Sequence, residues 1–124
     1  KEKSTMVKKD IDITLEAFKK LCQKYINFLG VHDFHVSYET EKHEEGEGVA
    51  CKYYLDTTGG QVITLSLNTD FTFTPESLKL TAKHEIIEAL LLGKIRDMML
   101  AYYSQNVVDE EIHRVVRILE NRLR

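Results

Sequence analysis

The first predicted element is a helix, because apolar residues between Thr14 and Leu29 recur every three or four positions and so share one helical face. Thr14 is the predicted N-cap, and Gly30 is the predicted stop. The apolar positions of this helix are Leu15, Phe18, Leu21, Cys22, Tyr25, Ile26 and Leu29.

Three segments with strand character follow. Residues 34–39 alternate apolar and polar side chains, as in a half-buried strand, and 49–56 and 61–68 have the same character. The acidic stretch 41–48 is predicted to be an exposed loop, and Thr57-Thr-Gly-Gly60 is predicted to be the turn of a hairpin over 49–68. The pattern therefore predicts a three-stranded sheet, with its third strand at the edge where an extended substrate could pair.

A second helix is predicted to begin at Pro75, with Thr74 as its cap. It continues through the apolar run at 86–92, and a bend or a break is expected near Gly93. A start signal at 106–109 then precedes a last helix, whose predicted inner face is Ile112, Val115, Val116, Leu119 and Leu123. The element order predicts an α+β fold: helix, three-stranded sheet, motif helix and C-terminal helix.

Length and composition indicate one soluble domain over 14–124 behind an N-terminal tail over 1–13, since 124 residues support a single core. Met6 is a candidate native start, in which case residues 1–5 would be an added segment. A net charge of −3 gives no general attraction to nucleic acid or acidic membranes, and no apolar run is long enough to span a bilayer. A cytoplasmic location is expected. Cys22 and Cys51 are predicted to be buried reduced thiols.

The chemistry is concentrated in residues 83–92, Lys-His-Glu-Ile-Ile-Glu-Ala-Leu-Leu-Leu. One letter separates this run from the zinc-peptidase pattern His-Glu-x-x-His, because Glu88 stands where that pattern has its second histidine. Residues four apart on a helix share a face, so His84 and Glu88 can both bind one ion. Glu85 points about 100° away and is the candidate general base for a metal-bound water.

A third ligand has to come from the acidic start of the last helix, which holds both His113 and Glu111. Imidazole favours His113, because zinc and iron sites use it readily. Helix geometry favours Glu111. Its side chain lies about 80° from the centre of the helix's apolar face, whereas His113 lies about 120° from it. His113 is the predicted third ligand, and Glu111 is the alternative. Three other histidines are expected at the surface: His32, His35 and His43. Arg114 and Arg117 are expected to form ion pairs with Glu120 on the helix surface.

The order of elements resembles the minimal zincin-like metallopeptidase domains of bacteriophages and their hosts. The resemblance covers residues 14–124 and is most specific at 84–92 and in the tail Glu110-Glu-Ile-His-Arg-Val-Val-Arg-Ile-Leu-Glu-Asn121. It implies one divalent metal, zinc first with iron or manganese as alternatives, held by His84, Glu88 and a ligand from the tail. Glu88 departs from the family's histidine, which separates metal binding from peptidase activity.

The leading hypothesis is a metal-dependent hydrolase in which Glu85 activates a metal-bound water to cleave a peptide or protein substrate. The alternative is a non-catalytic metal-binding or protein-interaction module that retains the zincin fold. A nucleic-acid adaptor using the basic N-terminal stretch is a weaker rival, and no nucleic-acid or membrane partner is expected. A homodimer formed through the long apolar helix at 75–103 is a further possibility.

Overall fold

The computed structural model describes residues 8–43, 49–56 and 61–123. Its elements in chain order are α1 (Lys8–Leu29), β1 (His35–Glu41), β2 (Cys51–Asp56), β3 (Val62–Asn68), α2 (Pro75–Glu85), a π-helical segment (Ile86–Leu91), α3 (Gly93–Leu100) and α4 (Gln105–Glu120). The α+β class and the order of elements agree with the sequence prediction. Three predicted features lie outside the described residues: the start at Met6, most of the acidic loop over 44–48, and the turn at 57–60.

The first helix is longer than predicted, because Thr14 lies inside α1 instead of capping it. Ile11 stands four positions before Leu15, so the apolar face continues toward the N-terminus and residues 8–13 are helical where a tail was expected. Gly30 ends the helix as predicted. Its φ of 73° is a backbone conformation that glycine adopts without strain.

The sheet has the strand order β1-β3-β2, with β1 parallel and β2 antiparallel to β3. The predicted pairing of the second and third strands is confirmed, with Tyr53 opposite Leu65. The prediction that the third strand forms an edge is wrong, since β3 lies at the centre, and among the described residues β2 has one edge free of strand pairing. The crossover that inserts β3 between the other two strands is a long-range arrangement without a local sequence signal.

The core lies between α1, α2 and one face of the sheet. Ile63, Leu65 and Leu67 alternate along β3 toward this core, and all three are fully buried or nearly so. They meet Phe18 and Cys22 of α1 in one apolar cluster. A second cluster joins the π-helical segment to α4 through Ile87, Leu92, Val108, Ile112 and Val116. The second cluster fixes α4 against the helix that carries the motif.

The motif helix begins as predicted, with the Thr74 hydroxyl accepting from the Ser77 amide at 3.0 Å in a capping box. The expected interruption near Gly93 is confirmed. Besides the glycine, a widened helical turn just before it interrupts the α-helix. The Leu92 amide donates to the Ile87 carbonyl five residues earlier, at 3.0 Å, which closes the wide turn of a π-helix. Such wide turns recur at functional sites, and Glu88 lies within this one.

Candidate metal centre

Two histidines and one glutamate from different helical segments come together in the lining of one cleft. His84 Nε2 lies 2.8 Å from Glu88 Oε1, and His113 Nε2 lies 3.8 Å from Glu88 Oε2. One candidate ligand atom from each of the three residues lies within 4.8 Å of the other two. Ligands of a tetrahedral zinc ion stand about 3.4 Å apart, given metal–ligand distances of about 2.0–2.2 Å. The observed separations lie on either side of that value, so small side-chain rotations would fit an ion.

The remaining ring nitrogen of each histidine has an acceptor. His84 Nδ1 lies 2.6 Å from Glu120 Oε2, and His113 Nδ1 lies 2.9 Å from the Asp109 carbonyl oxygen. A carbonyl oxygen can only accept, so His113 carries its proton on Nδ1. In both rings Nε2 is then the nitrogen that lies toward the Glu88 carboxylate. Histidine ligands of metals are held in this way by carboxylates or carbonyls.

Without an ion, a proton occupies the space between His84 and Glu88. The hydrogen bond to Glu88 raises the pKa of His84 to about 9, with burial opposing the shift and Glu120 adding to it. Burial alone would raise the pKa of Glu88, but the hydrogen bond and charge of His84, with His113 and Arg96 nearby, lower it overall. The metal-free protein therefore holds an imidazolium–carboxylate pair, and a cation would replace the His84 Nε2 proton.

Glu85 lies beside this cluster without joining it. Its side chain lines the cleft and is buried, with 7% exposed. Burial raises the pKa of Glu85 to about 8, the Glu88 charge adds to the shift, and His84 opposes it. Its charge also reaches Cys22 and Cys51, which places the carboxyl at the core side of the cleft. At neutral pH most of this carboxyl is protonated, and a nearby cation would favour the ionised form that a base requires.

Of the two candidates for the third position, the structure brings only His113 to the cluster. The Glu111 carboxylate is 46% exposed and pairs with Arg114 at 2.6 Å. The expected surface pairing of Glu120 with the arginines is wrong, because Glu120 contacts His84 and is only 15% exposed. The spacing offered a clue that was missed: Glu120 follows His113 by seven residues, and so both lie on one face of α4.

Lys83, the residue before the candidate ligand His84, holds the last helix beside the motif helix. Lys83 Nζ donates to the Glu120 carbonyl at 3.2 Å and to the Leu123 carbonyl at 2.9 Å. These are carbonyl groups at the end of α4 that no further helical turn satisfies. Lys83 thus ties the end of α4 to α2 and so helps to place Glu120.

The cleft has a volume of about 750 Å³ and runs along the free edge of β2. Every residue from Val49 to Leu55 lines the cleft. Because neighbouring side chains on a strand point to opposite faces, side chains of one face alone cannot account for this lining. The backbone edge of the strand therefore borders the cleft. Tyr53 lines the cleft, with its hydroxyl accepting from Arg96 and its pKa raised by burial and then by the Glu88 charge. Arg96 also pairs with the Asp109 carboxylate.

Three other sequence predictions have clear outcomes. His32 and His35 are exposed, as expected. The expectation for His43 is wrong, because its side chain is buried with Nε2 3.5 Å from the Glu41 carboxylate. Cys22 and Cys51 are free and buried, as predicted. Among the described residues, no helix is long and apolar enough to cross a membrane.

Comparison with protein-family models, curated protein sequences and solved structures gave no significant match. The resemblance to zincin-like domains therefore stays a prediction.

Proposed function

We propose that this protein binds one divalent metal through His84, Glu88 and His113, and that the bound ion serves a hydrolytic reaction in the adjoining cleft. The observation that supports the proposal best is the hydrogen bonding of the two imidazoles. Each has its Nδ1 next to an acceptor and its Nε2 directed at Glu88. Histidine ligands of metals are commonly oriented by an acceptor at the ring nitrogen that does not bind the ion, so both contacts fit a metal site.

Two imidazole nitrogens and one carboxylate oxygen form a donor set that suits zinc, with iron and manganese as alternatives. A divalent ion held there would supply Lewis acidity, and it would lower the pKa of a water molecule. The Glu88 carboxylate reduces the net positive charge of the site relative to three histidines. The proposed site therefore makes water less acidic than a three-histidine zinc site does.

The proposed substrate is an extended peptide segment that pairs with the free edge of β2. This edge replaces the third strand, which the sequence had suggested for the same task. Backbone pairing gives affinity for a strand without fixing its sequence. In this arrangement the Glu85 carboxylate would take a proton from the attacking water, and Tyr53, held by Arg96, would donate to the carbonyl oxygen as it gains charge.

A non-catalytic metal-binding module is the second candidate, and the burial of Glu85 favours it. A carboxyl with a pKa of about 8 is a poor base in neutral solution unless a cation lowers that value. The two candidates share the metal and differ in what Glu85 does. The two free cysteines are consistent with the cytoplasmic location proposed for either one.

Glu85→Gln separates the two candidates. Wild-type protein loaded with zinc, manganese or iron would be incubated with a library of unstructured peptides, and cleavage would be followed by mass spectrometry. The hydrolase proposal predicts cleavage by the wild type and a loss of about 100-fold or more in Glu85→Gln, with metal binding retained. Metal binding without cleavage by the wild type would contradict the hydrolase proposal and support the non-catalytic module.

A further inference from the structure

The side of α4 that faces away from the cleft has a regular surface. Val107, Glu111, Arg114 and Ile118 follow one another at spacings of four, three and four residues, so they form a single stripe along the helix. Val107 is 51% exposed and Ile118 is 49% exposed. The Glu111 and Arg114 side chains between them are 46% and 57% exposed. The stripe has apolar ends and a charged centre.

The three functions of α4 lie on three different sides. Val108, Ile112 and Val116 face the core, and His113 and Glu120 face the candidate metal centre. With about 100° between successive residues, the stripe lies about 130° from the core side and on the flank opposite to the metal centre. A partner helix on the stripe would therefore leave the cleft open.

The order of residues in the stripe makes it complementary to itself. Val107 and Ile118 are equally distant from the point on α4 midway between Ile112 and His113, and so are Glu111 and Arg114. Two copies can pack α4 against α4 in antiparallel orientation, with a two-fold axis at this point. Val107 of each copy then faces Ile118 of the other. Each glutamate then meets an arginine. We propose that the protein forms a homodimer through this antiparallel α4 pairing.

A second copy fits this surface better than an unrelated partner, because a two-fold interface requires one patch to complement itself. Arg114 already pairs with its own Glu111 at 2.6 Å, and in the dimer it would also face the second copy's Glu111, in a ring of four alternating charges. A groove of about 430 Å³ with an apolar floor of Met99, Tyr103 and Val107 extends the contact toward α3.

The dimer should be weak. A helix of 16 residues is about 24 Å long, and one such contact buries less than the roughly 800 Å² per partner of a standard stable interface. The charged centre adds selectivity more than affinity. This interface also differs from the dimer through residues 75–103 that the sequence suggested, since its centre lies on α4.

Charge reversal tests the proposal directly. Glu111→Arg makes the centre of the stripe positive, and Arg114→Glu makes it negative. Each variant alone should associate at least about 10-fold more weakly than the wild type, and an equimolar mixture of the two should associate again. The double variant Glu111→Arg/Arg114→Glu should also associate, because its stripe is self-complementary. Glu16→Arg breaks a matched exposed pair with Lys19 on α1 and should change nothing.

Sedimentation velocity over about 1 µM to 1 mM protein, with circular dichroism to verify helix content, gives the readout. The expected result is a wild-type dimer that dissociates on dilution and the pattern of loss and restoration described above. A wild type that is monomeric at the highest concentration would overturn the proposal. Single variants that dimerise like the wild type, or a mixture that stays monomeric, would overturn it equally.

Discussion

Glu120 Oε2 lies 2.6 Å from His84 Nδ1, although the two residues are 36 positions apart in the sequence. This contact joins the end of the last helix to the motif helix, and it orients the His84 ring so that Nε2 lies toward Glu88. Lys83, one residue before His84, fixes the same end of α4 through two backbone carbonyls. The candidate site is thus held by a contact that the motif itself does not contain.

The first prediction concerns this contact. Glu120→Gln keeps the size of the side chain but removes the negative charge that holds the His84 Nδ1 proton. We expect metal affinity to fall by about 10–100-fold, the usual effect of losing such a partner. Competition with a chromophoric chelator measures the affinity. Glu110→Gln, an exposed position on the same helix, is the matched control; equal affinity in the two variants would contradict the assigned role of Glu120.

The second prediction separates the two candidates for the third ligand. His113→Ala removes an Nε2 atom directed at Glu88 and should weaken metal binding by more than the about 10–100-fold expected for Glu120→Gln. Glu111→Ala removes a carboxylate that pairs with Arg114 at the surface and should leave affinity unchanged. Isothermal titration of both variants with zinc gives the comparison. A larger loss in Glu111→Ala would mean that the tail binds the ion in a different arrangement.

The third prediction concerns the pH dependence of the metal-free protein. The folded protein holds the His84 proton up to a pH of about 9, whereas the reference value is 6.5. The stabilisation is therefore complete below pH 6.5 and disappears as the pH rises to about 9. After allowance for solvent screening, the loss should be about 1–2 kcal/mol of unfolding free energy.

Urea unfolding in the presence of a chelator, between pH 6.5 and 9, measures this effect. Glu85 contributes with the same sign, because its folded pKa of about 8 lies above the reference 4.5. The measurement should therefore be made in the Glu85→Gln background, with and without His84→Gln. The decline in stability should be smaller when His84 is absent; identical declines would show that another group is responsible.

The fourth prediction concerns the lysine that ties the end of α4 to α2. Lys83→Met keeps the aliphatic part of the side chain but removes both hydrogen bonds to the terminal carbonyls. The free energy of unfolding should fall by about 1–3 kcal/mol, since the two bonds are made by a charged donor in a partly buried site. Lys79→Met, one turn earlier on α2, should have a smaller effect. Chemical denaturation of both variants at pH 7 tests this ranking.

Local signals in the sequence predicted local structure well. Thr74 and Gly30 were identified as a cap and a stop because their chemistry acts within a few residues. The hairpin of β2 and β3 followed from alternation on both sides of a turn. The π-helical segment that holds Glu88 was not predicted, because its apolar residues read equally well as an α-helix.

The predicted start of α1 at Thr14 was a local error, and the errors at β3 and Glu120 concern contacts between distant segments. No spacing rule indicates that β3 lies between β1 and β2, since that depends on a crossover in three dimensions. The role of Glu120 was missed although its face of α4 could be read from His113, because the partner ring lies on another helix. The motif gave His84 and Glu88 correctly as neighbours, and only the packing of α4 places His113 with them.

The most direct test of the central claim is to identify the ligands of the bound ion. Protein purified without chelators would be analysed for metal content and, after crystallisation, by anomalous diffraction at the absorption edge of the metal found. We expect about one equivalent of a divalent ion, bonded to His84 Nε2, Glu88 and His113 Nε2 at about 2.0–2.2 Å. Less than about a tenth of an equivalent, with no thermal shift on adding zinc, manganese or iron, would contradict it.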